Sequence, residues 1–199
     1  MASLPSSRGF DDAYVGVPPW DIGRPQRAVL ALAGAGVFRS PVLDVGCGTG
    51  ENALALASSG LSVLGIDASP RAVGKAMEKT RERALVGAEF LVADAFALEG
   101  LGRRFGSVLD CGLFHVFDDH ERPVYAASAH AALEPGGEMH LLCFADLEPP
   151  GWGPRRVSEG ELRSSFAVGW EVREIAPADF ETNLDTGDVR AWLARFVRT

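Results

Sequence analysis

Apolar positions along this chain alternate between two rhythms. Arg27 to Gly34 carries them at helical spacing, and Pro41–Gly46 follows as a short apolar run ending in glycine. The exchange then repeats. Helical spacing predicts helices over 51–59, 70–84, 118–133 and 158–167, and apolar runs predict strands over 61–67, 89–93, 107–110, 138–144, 170–176 and 189–197. Gly60 stops the helix before it, Ser69-Pro70 reads as an N-cap with a first helical residue, and Pro135-Gly136-Gly137 ends the helix of 118–133. The runs 89–93 and 107–110 read as buried strands. Short apolar strands alternating with helices imply βαβ units, hence a mostly parallel α/β sheet of about seven strands. The last two, joined only by residues 177–188, are expected to pair as an antiparallel hairpin. No repeat or second core interrupts the pattern, so one domain is expected.

Residues 1–27 break the rhythm. Pro5, Pro18, Pro19 and Pro25 forbid a long helix there, because proline lacks the amide donor and clashes with the preceding turn. Residues 1–10 read equally well as a loose tail. Residues 11–26 hold Tyr14, Trp20 and Ile22, apolar area that can dock on a core and close over something. The expected division is a lid segment at 1–27 and the main domain at 28–199.

Composition narrows the function. The chain has 199 residues, 47% of them hydrophobic, and 27 acidic against 19 basic side chains, a net charge of −8. That balance argues against broad capture of nucleic acid or an anionic membrane. No apolar run approaches the roughly 20 residues of a membrane span, and the N-terminus lacks the apolar centre of a signal peptide, so a cytoplasmic location is the default. Cys47, Cys111 and Cys143 are odd in number and far apart, which fits a reducing compartment rather than a disulfide or zinc framework. His115, His120, His130 and His140 lack ligand spacing with the scattered acids, so no metal is expected.

The sharpest local signal is Val42-Leu43-Asp44-Val45-Gly46-Cys47-Gly48-Thr49-Gly50. Glycines at a strand–helix turn let the backbone approach a ligand, and the helix start offers free amides. A dinucleotide fingerprint would need Gly at position 51, where Glu51 stands. The pattern is instead GxGxG after Asp44, and a carboxylate at the helix start disfavours a pyrophosphate. Asp67 ends the second strand, where a carboxylate can accept both hydroxyls of a ribose. Asp94 ends the third, placed for an exocyclic adenine amine. All three acids sit at the carboxyl ends of strands, where open α/β sheets bind ligands.

The set VLDVGCGTG, LGIDAS, LVADAF, SVLDCGLFHVF and LEPGGEMHLLCF resembles the class I S-adenosylmethionine-dependent methyltransferases over about residues 41–144. That resemblance implies a Rossmann-like seven-stranded sheet with helices on both faces and a C-terminal antiparallel strand. It also implies S-adenosylmethionine as cofactor, with S-adenosylhomocysteine as product. Gly46, Cys47, Gly48 and Gly50 would cradle the methionine and ribose part, Asp67 and Ala68 the ribose, Asp94 and Ala95 the adenine, with Asp44 and Asp110 nearby. Pro19-Trp20-Asp21-Ile22-Gly23-Arg24-Pro25-Gln26 is similar to an N-terminal motif of the thiopurine, thiol and halide methyltransferase group and of actinobacterial enzymes that methylate heterocyclic toxins. There the segment folds over the cofactor, which puts Trp20 near its sulfonium end.

The flanks bear on the methyl acceptor. His115, after the fourth strand, has an ordinary pKa suited to taking a proton near neutral pH, and Tyr14 is a second candidate base. His115 reads equally as a histidine that only shapes the pocket. Phe114, Trp152 and Arg155 suit a flat aromatic substrate with an anionic group. There is no Asn-Pro-Pro-Tyr tetrad of the nucleic-acid amino methyltransferases. The expectation is a methyltransferase acting on an O, N or S atom of a small, aromatic or heterocyclic molecule, as monomer or homodimer. Thiol or halide methylation, or a non-catalytic adenosylmethionine-binding domain, are the alternatives; a nicotinamide dehydrogenase is disfavoured by Glu51.

Overall fold

The computed structural model describes residues 7–147 and 153–199. Its elements are α1 (Ser7–Ala13), α2 (Arg27–Gly34), β1 (Val42–Val45), α3 (Glu51–Ser58), β2 (Val63–Asp67), α4 (Pro70–Glu82), β3 (Ala88–Val92), β4 (Phe105–Cys111), α5 (Glu121–Ala132), β5 (Leu133–Phe144), α6 (Glu159–Ser165), β6 (Trp170–Phe180) and β7 (Val189–Arg198). One seven-stranded sheet runs in the order β3-β2-β1-β4-β5-β7-β6. β1 to β5 pair in parallel, and β7 is antiparallel to both β5 and β6. The Rossmann-like α/β expectation and its antiparallel last strand hold.

Alternation along the strands splits the interior into two layers. Val42, Val63 and Leu109 face one way, onto Val29 of α2, Leu54 and Leu56 of α3 and Val73 of α4. Leu43, Val45, Leu64 and Ile66 face the other, onto Tyr125, Ala126 and Ala129 of α5 and Leu162 of α6. Each such large aliphatic side chain contributes about 1.5–3 kcal/mol by leaving water. Ser69 caps α4 by accepting the Ala72 amide, with Pro70 as first helical residue.

Three expectations change. β3 is an edge strand with Leu91 and Val92 half-exposed, not a buried one, because no strand among the described residues pairs beyond it. β5 starts at Leu133 and runs through Pro135-Gly136-Gly137, five residues before its expected start. β6 continues past 176 to Phe180, shortening the link to β7.

The chain crosses from one half of the sheet to the other between β3 and β4, which leaves β1 and β4 as adjacent strands whose connections lead opposite ways. Their carboxyl ends therefore open a crevice. No helix among the described residues is long and apolar enough to cross a membrane.

Candidate active site

At that crevice β1 turns into α3 through the glycine loop. Gly48 has φ +54° and Gly50, the N-cap of α3, has φ +85°, backbone that L side chains rarely adopt. A Cβ on Gly50 would lie 2.8 Å from the Ala76 Cβ, and one on Gly48 would lie 2.9 Å from the Tyr14 hydroxyl. The loop is pinned from β2: the Cys47 amide donates to the Ile66 carbonyl (2.9 Å) and the Gly48 amide to Asp67 Oδ2 (2.9 Å). Asp67 Oδ1 accepts the Ser69 amide at 2.8 Å, and burial holds this carboxyl above its usual range against those bonds. Ala68 beside it is exposed. Asp94 is exposed at the end of the neighbouring strand and accepts the Phe96 amide at 2.9 Å, capping the short 3₁₀ turn that Ala95 opens.

Asp44 is buried on β1, and among the described residues its Oδ2 has no hydrogen-bond partner. Burial, then the neighbouring Asp110 and Asp67, push it up to about 7. A buried, unpartnered carboxylate oxygen beside a glycine loop fits a ligand that brings a cationic donor. Glu51, at the start of α3, is held by Arg83 (2.8 and 2.9 Å) and Lys79 (2.8 Å). The carboxylate at the start of α3 is thus paired with two cations at the end of α4.

The N-terminal segment covers this loop. Asp11 accepts the Ser69 hydroxyl (2.7 Å) and the Arg71 amide (3.1 Å) and pairs with the Arg71 guanidinium, tying α1 to the start of α4. Lys75 Nζ donates to the Tyr14 carbonyl (2.8 Å), Thr49 Oγ1 to Asp21 (3.0 Å), and Trp20 Nε1 to the Tyr14 hydroxyl (3.0 Å). From the other side the Asn183 amide donates to the Pro19 carbonyl at 3.0 Å. Gln26 and Glu181 exchange two bonds, 2.9 and 2.8 Å, and Glu181 also takes Arg24 at 2.7 Å. Asp11, Glu181 and Asn183 were missed in the sequence, where Gln26 stood only as the last residue of the N-terminal motif; Gln26 and Glu181 lie 155 positions apart, with no local pattern to link them.

Several expected site residues take other positions. Phe114 is fully buried in the main core against Phe166 and Tyr125, not on a pocket wall. Asp110 spends Oδ1 on the Leu113 and Phe114 amides (2.9 and 3.2 Å) and Oδ2 on the Tyr125 hydroxyl (2.7 Å), so it shapes the turn after β4 instead of facing a ligand. Arg155 is held by the Asp119 and Glu161 carboxylates, while its neighbour Arg156 is buried over the Phe144 ring at 4.8 Å. His115 is 5% exposed and accepts the Phe144 amide at Nδ1 (3.0 Å). Burial and then Arg156 and Arg122 press its pKa down to about 3, so it is no base at neutral pH. Burial beside Asp67 pushes the Tyr14 phenol up, which removes that candidate base too. Trp152 lies outside the described residues.

A family model for the methyltransferase domain matches residues 42–137. The chain is 39% identical over 170 residues to the 2-heptyl-1-hydroxyquinolin-4(1H)-one methyltransferase of Mycobacteroides abscessus, covering 84% of this chain and 75% of that one. This chain belongs to the S-adenosylmethionine-dependent methyltransferases. The methyltransferase is also 34% identical over 181 residues to probable thiol methyltransferase 2 of Arabidopsis thaliana (88% of this chain, 79% of that one). A solved structure from work on conversion of a disulfide bond into a thioacetal group during echinomycin biosynthesis superposes with a TM-score of 0.89 at 40% identity, covering 97% and 93% of the two chains. The magnesium protoporphyrin IX methyltransferase of Synechocystis with bound S-adenosylmethionine shares the fold (TM-score 0.67, 21% identity, 86% of this chain, 76% of that one).

Proposed function

We propose that this methyltransferase methylates an O, N or S atom of a small aromatic or heterocyclic molecule, inside a site closed by residues 1–27 as a lid over the domain of 28–199. The observation that carries this is the enclosure of the glycine loop by Tyr14 and Trp20 at the carboxyl end of β1. A covered crevice takes a small molecule and refuses a polymer, and the charge of −8 agrees.

S-adenosylmethionine, when bound, supplies a methyl group activated on a sulfonium. Gly46, Cys47, Gly48 and Gly50 let the backbone come close to its methionine and ribose part, and Asp67 with Ala68 receives the ribose. Asp94 and Ala95 border the adenine, Asp44 offers its unpartnered oxygen to a cationic group, and Trp20 covers the sulfonium end. The chain's own contribution is alignment and exclusion of water, which the in-line displacement needs most.

Isothermal titration with S-adenosylmethionine and with NAD separates the cofactors, and affinity for NAD alone overturns the reading. A screen of phenols, N-hydroxyquinolones, thiols and iodide with labelled cofactor then tests the acceptor. Turnover confined to thiols or iodide moves the assignment to thiol or halide methylation, the relationship to the Arabidopsis protein being its support. Cofactor binding without turnover on any of them favours a binding domain.

A further inference from the structure

A second recess, lined by none of the glycine-loop residues, lies where α2 crosses the β5-β7-β6 end of the sheet. Two cross-strand rows floor it, His140–Arg195–Glu174 and Leu142–Leu193–Ala176. Because Ala28 and Ala31 are short, α2 leaves a trough of about 420 Å³ between itself and Ala178 and Leu193. Past Leu32 and Leu193 the trough continues into a recess of about 120 Å³ beside His140. Its walls run along β6 from Asp179 to Glu174, about 17 Å at some 3.4 Å per residue. His140 is 1% exposed, and among the described residues its Nε2 has no hydrogen-bond partner. Glu138 Oε2 lies 3.7 Å away, too far to serve, and Arg195 already holds both Glu138 oxygens at 2.6 and 2.7 Å. The Phe38 ring meets the imidazole edge-on at 5.0 Å and fixes its orientation. Burial presses its pKa down to about 4, with Glu138 opposing and Arg195 assisting, so the ring is neutral at physiological pH. A buried polar atom left unanswered at the wall of an apolar recess points to a ligand that answers it.

We propose that this trough is a second ligand site, which binds a single-chain amphiphile with a neutral hydroxyl head bonded to His140 Nε2. The chain lies along Ala28, Ala31, Ala178 and Leu193, where its burial supplies the affinity. The charges at the recess select the head. They are Glu138, Glu174 and Arg195, one acid in excess, and Arg195 is spent on Glu138. A carboxylate head would meet Glu174 with no free cation to balance it. An ammonium head would have to leave water beside Arg195 and a neutral imidazole. A hydroxyl brings no charge, and it can donate to the ring nitrogen or accept from it. At the open end Arg27 is paired with Glu181 and Asp188, and Asp179 with Arg190, so neither needs a charged partner from the ligand.

Titration with 1-butanol, 1-hexanol and 1-octanol tests this by NMR of the Leu32 and Leu193 methyl groups and the His140 ring nitrogens. These signals are expected to shift together and saturate. Affinity should tighten about fourfold for each added CH₂, from transfer of that group out of water. Shifts that do not saturate, or that spread equally to the exposed Val86 and Val168, overturn the proposal. Hexanoate or hexylammonium binding more tightly than 1-hexanol overturns it as well. Ala31→Leu, at an exposed position of α2, fills the trough and should weaken 1-octanol at least about tenfold with the melting temperature little changed. His140→Phe keeps a ring against Phe38 and removes the nitrogens. It should weaken 1-hexanol about three- to tenfold, the range of one neutral hydrogen bond, and leave n-hexane as before. Unchanged alcohol affinity in either variant sinks the site. Should His140→Phe fail to fold, Ala31→Leu and the nitrogen spectrum still decide. The titration needs neither cofactor nor methyl acceptor, so its outcome is independent of the methylation reading.

Discussion

The Trp20 indole donates to the Tyr14 hydroxyl at 3.0 Å, and that hydroxyl occupies the space a Cβ on Gly48 would need. The lid and the glycine loop are thus fitted to each other at this oxygen, beside the Thr49–Asp21 bond. Tyr14→Phe leaves the indole N–H without that partner, at a cost of about 1 kcal/mol. Cofactor affinity should drop several-fold by calorimetry while the pH profile of kcat keeps its shape, since Tyr14 stays protonated at neutral pH. A profile that loses a limb would make Tyr14 a base after all.

Asp67 is bonded to the Gly48 and Ser69 amides. Asp67→Ala releases both and removes the proposed ribose acceptor. Affinity for S-adenosylmethionine should fall at least about a hundredfold, by the worth of two hydrogen bonds to a charged group. Circular dichroism on the same sample checks that the fold persists. Affinity within threefold of wild type contradicts the ribose role.

Asp44, pushed up to about 7 by burial, gives a pH dependence of defined sign. Between an unfolded value near 3.8 and about 7, the folded chain keeps a proton that the unfolded chain has lost. Stability without cofactor therefore falls as pH rises through that window, by about 1.4 kcal/mol per unit at most, and levels off above it. A cationic ligand group favours the ionised form, so cofactor binding should tighten from pH 5 to 7 and release protons. Thermal melts and calorimetry in buffers of different ionisation heat measure both. Asp44→Asn should flatten the two curves; unaltered slopes would mean another group is titrating.

The lid is latched at its far end by the Gln26–Glu181 exchange and the Arg24 ion pair. Gln26→Ala removes both bonds from a buried site at a cost of about 2 kcal/mol. KM for both substrates is expected to rise well before the melting temperature of the main domain changes greatly. If KM stays put and only the melting temperature drops, the segment is packing rather than a lid.

How much of this was legible depends on the distance over which each residue acts. The glycine loop, the Ser69 cap and the acids at the ends of β1 to β3 are written in adjacent positions, because a turn and the strand before it impose their residue types locally. Asp110 and Phe114 were misjudged because Tyr125, which engages both from α5, lies 15 and 11 positions on in sequence. Arg155 and Arg156 are neighbours that no pattern tells apart; the acids Asp119 and Glu161 capture the first, and the Phe144 ring receives the second. The base role for His115 failed for a subtler reason. Its Nδ1 answers an amide left over where one strand outruns another, and relative strand length is a property of the folded sheet alone.

β7 lies between β5 and β6, although it is translated after both. Until Val189–Arg198 are in place, β6 has no strand to pair with, and Glu181 and Asn183, which follow it, cannot be presented to the lid. A chain still on the ribosome, or one clipped before β7, can therefore hold the whole glycine loop and yet have nothing to fasten over it. The strand made last of the seven is thus the one on which the fastening of the lid's far end depends.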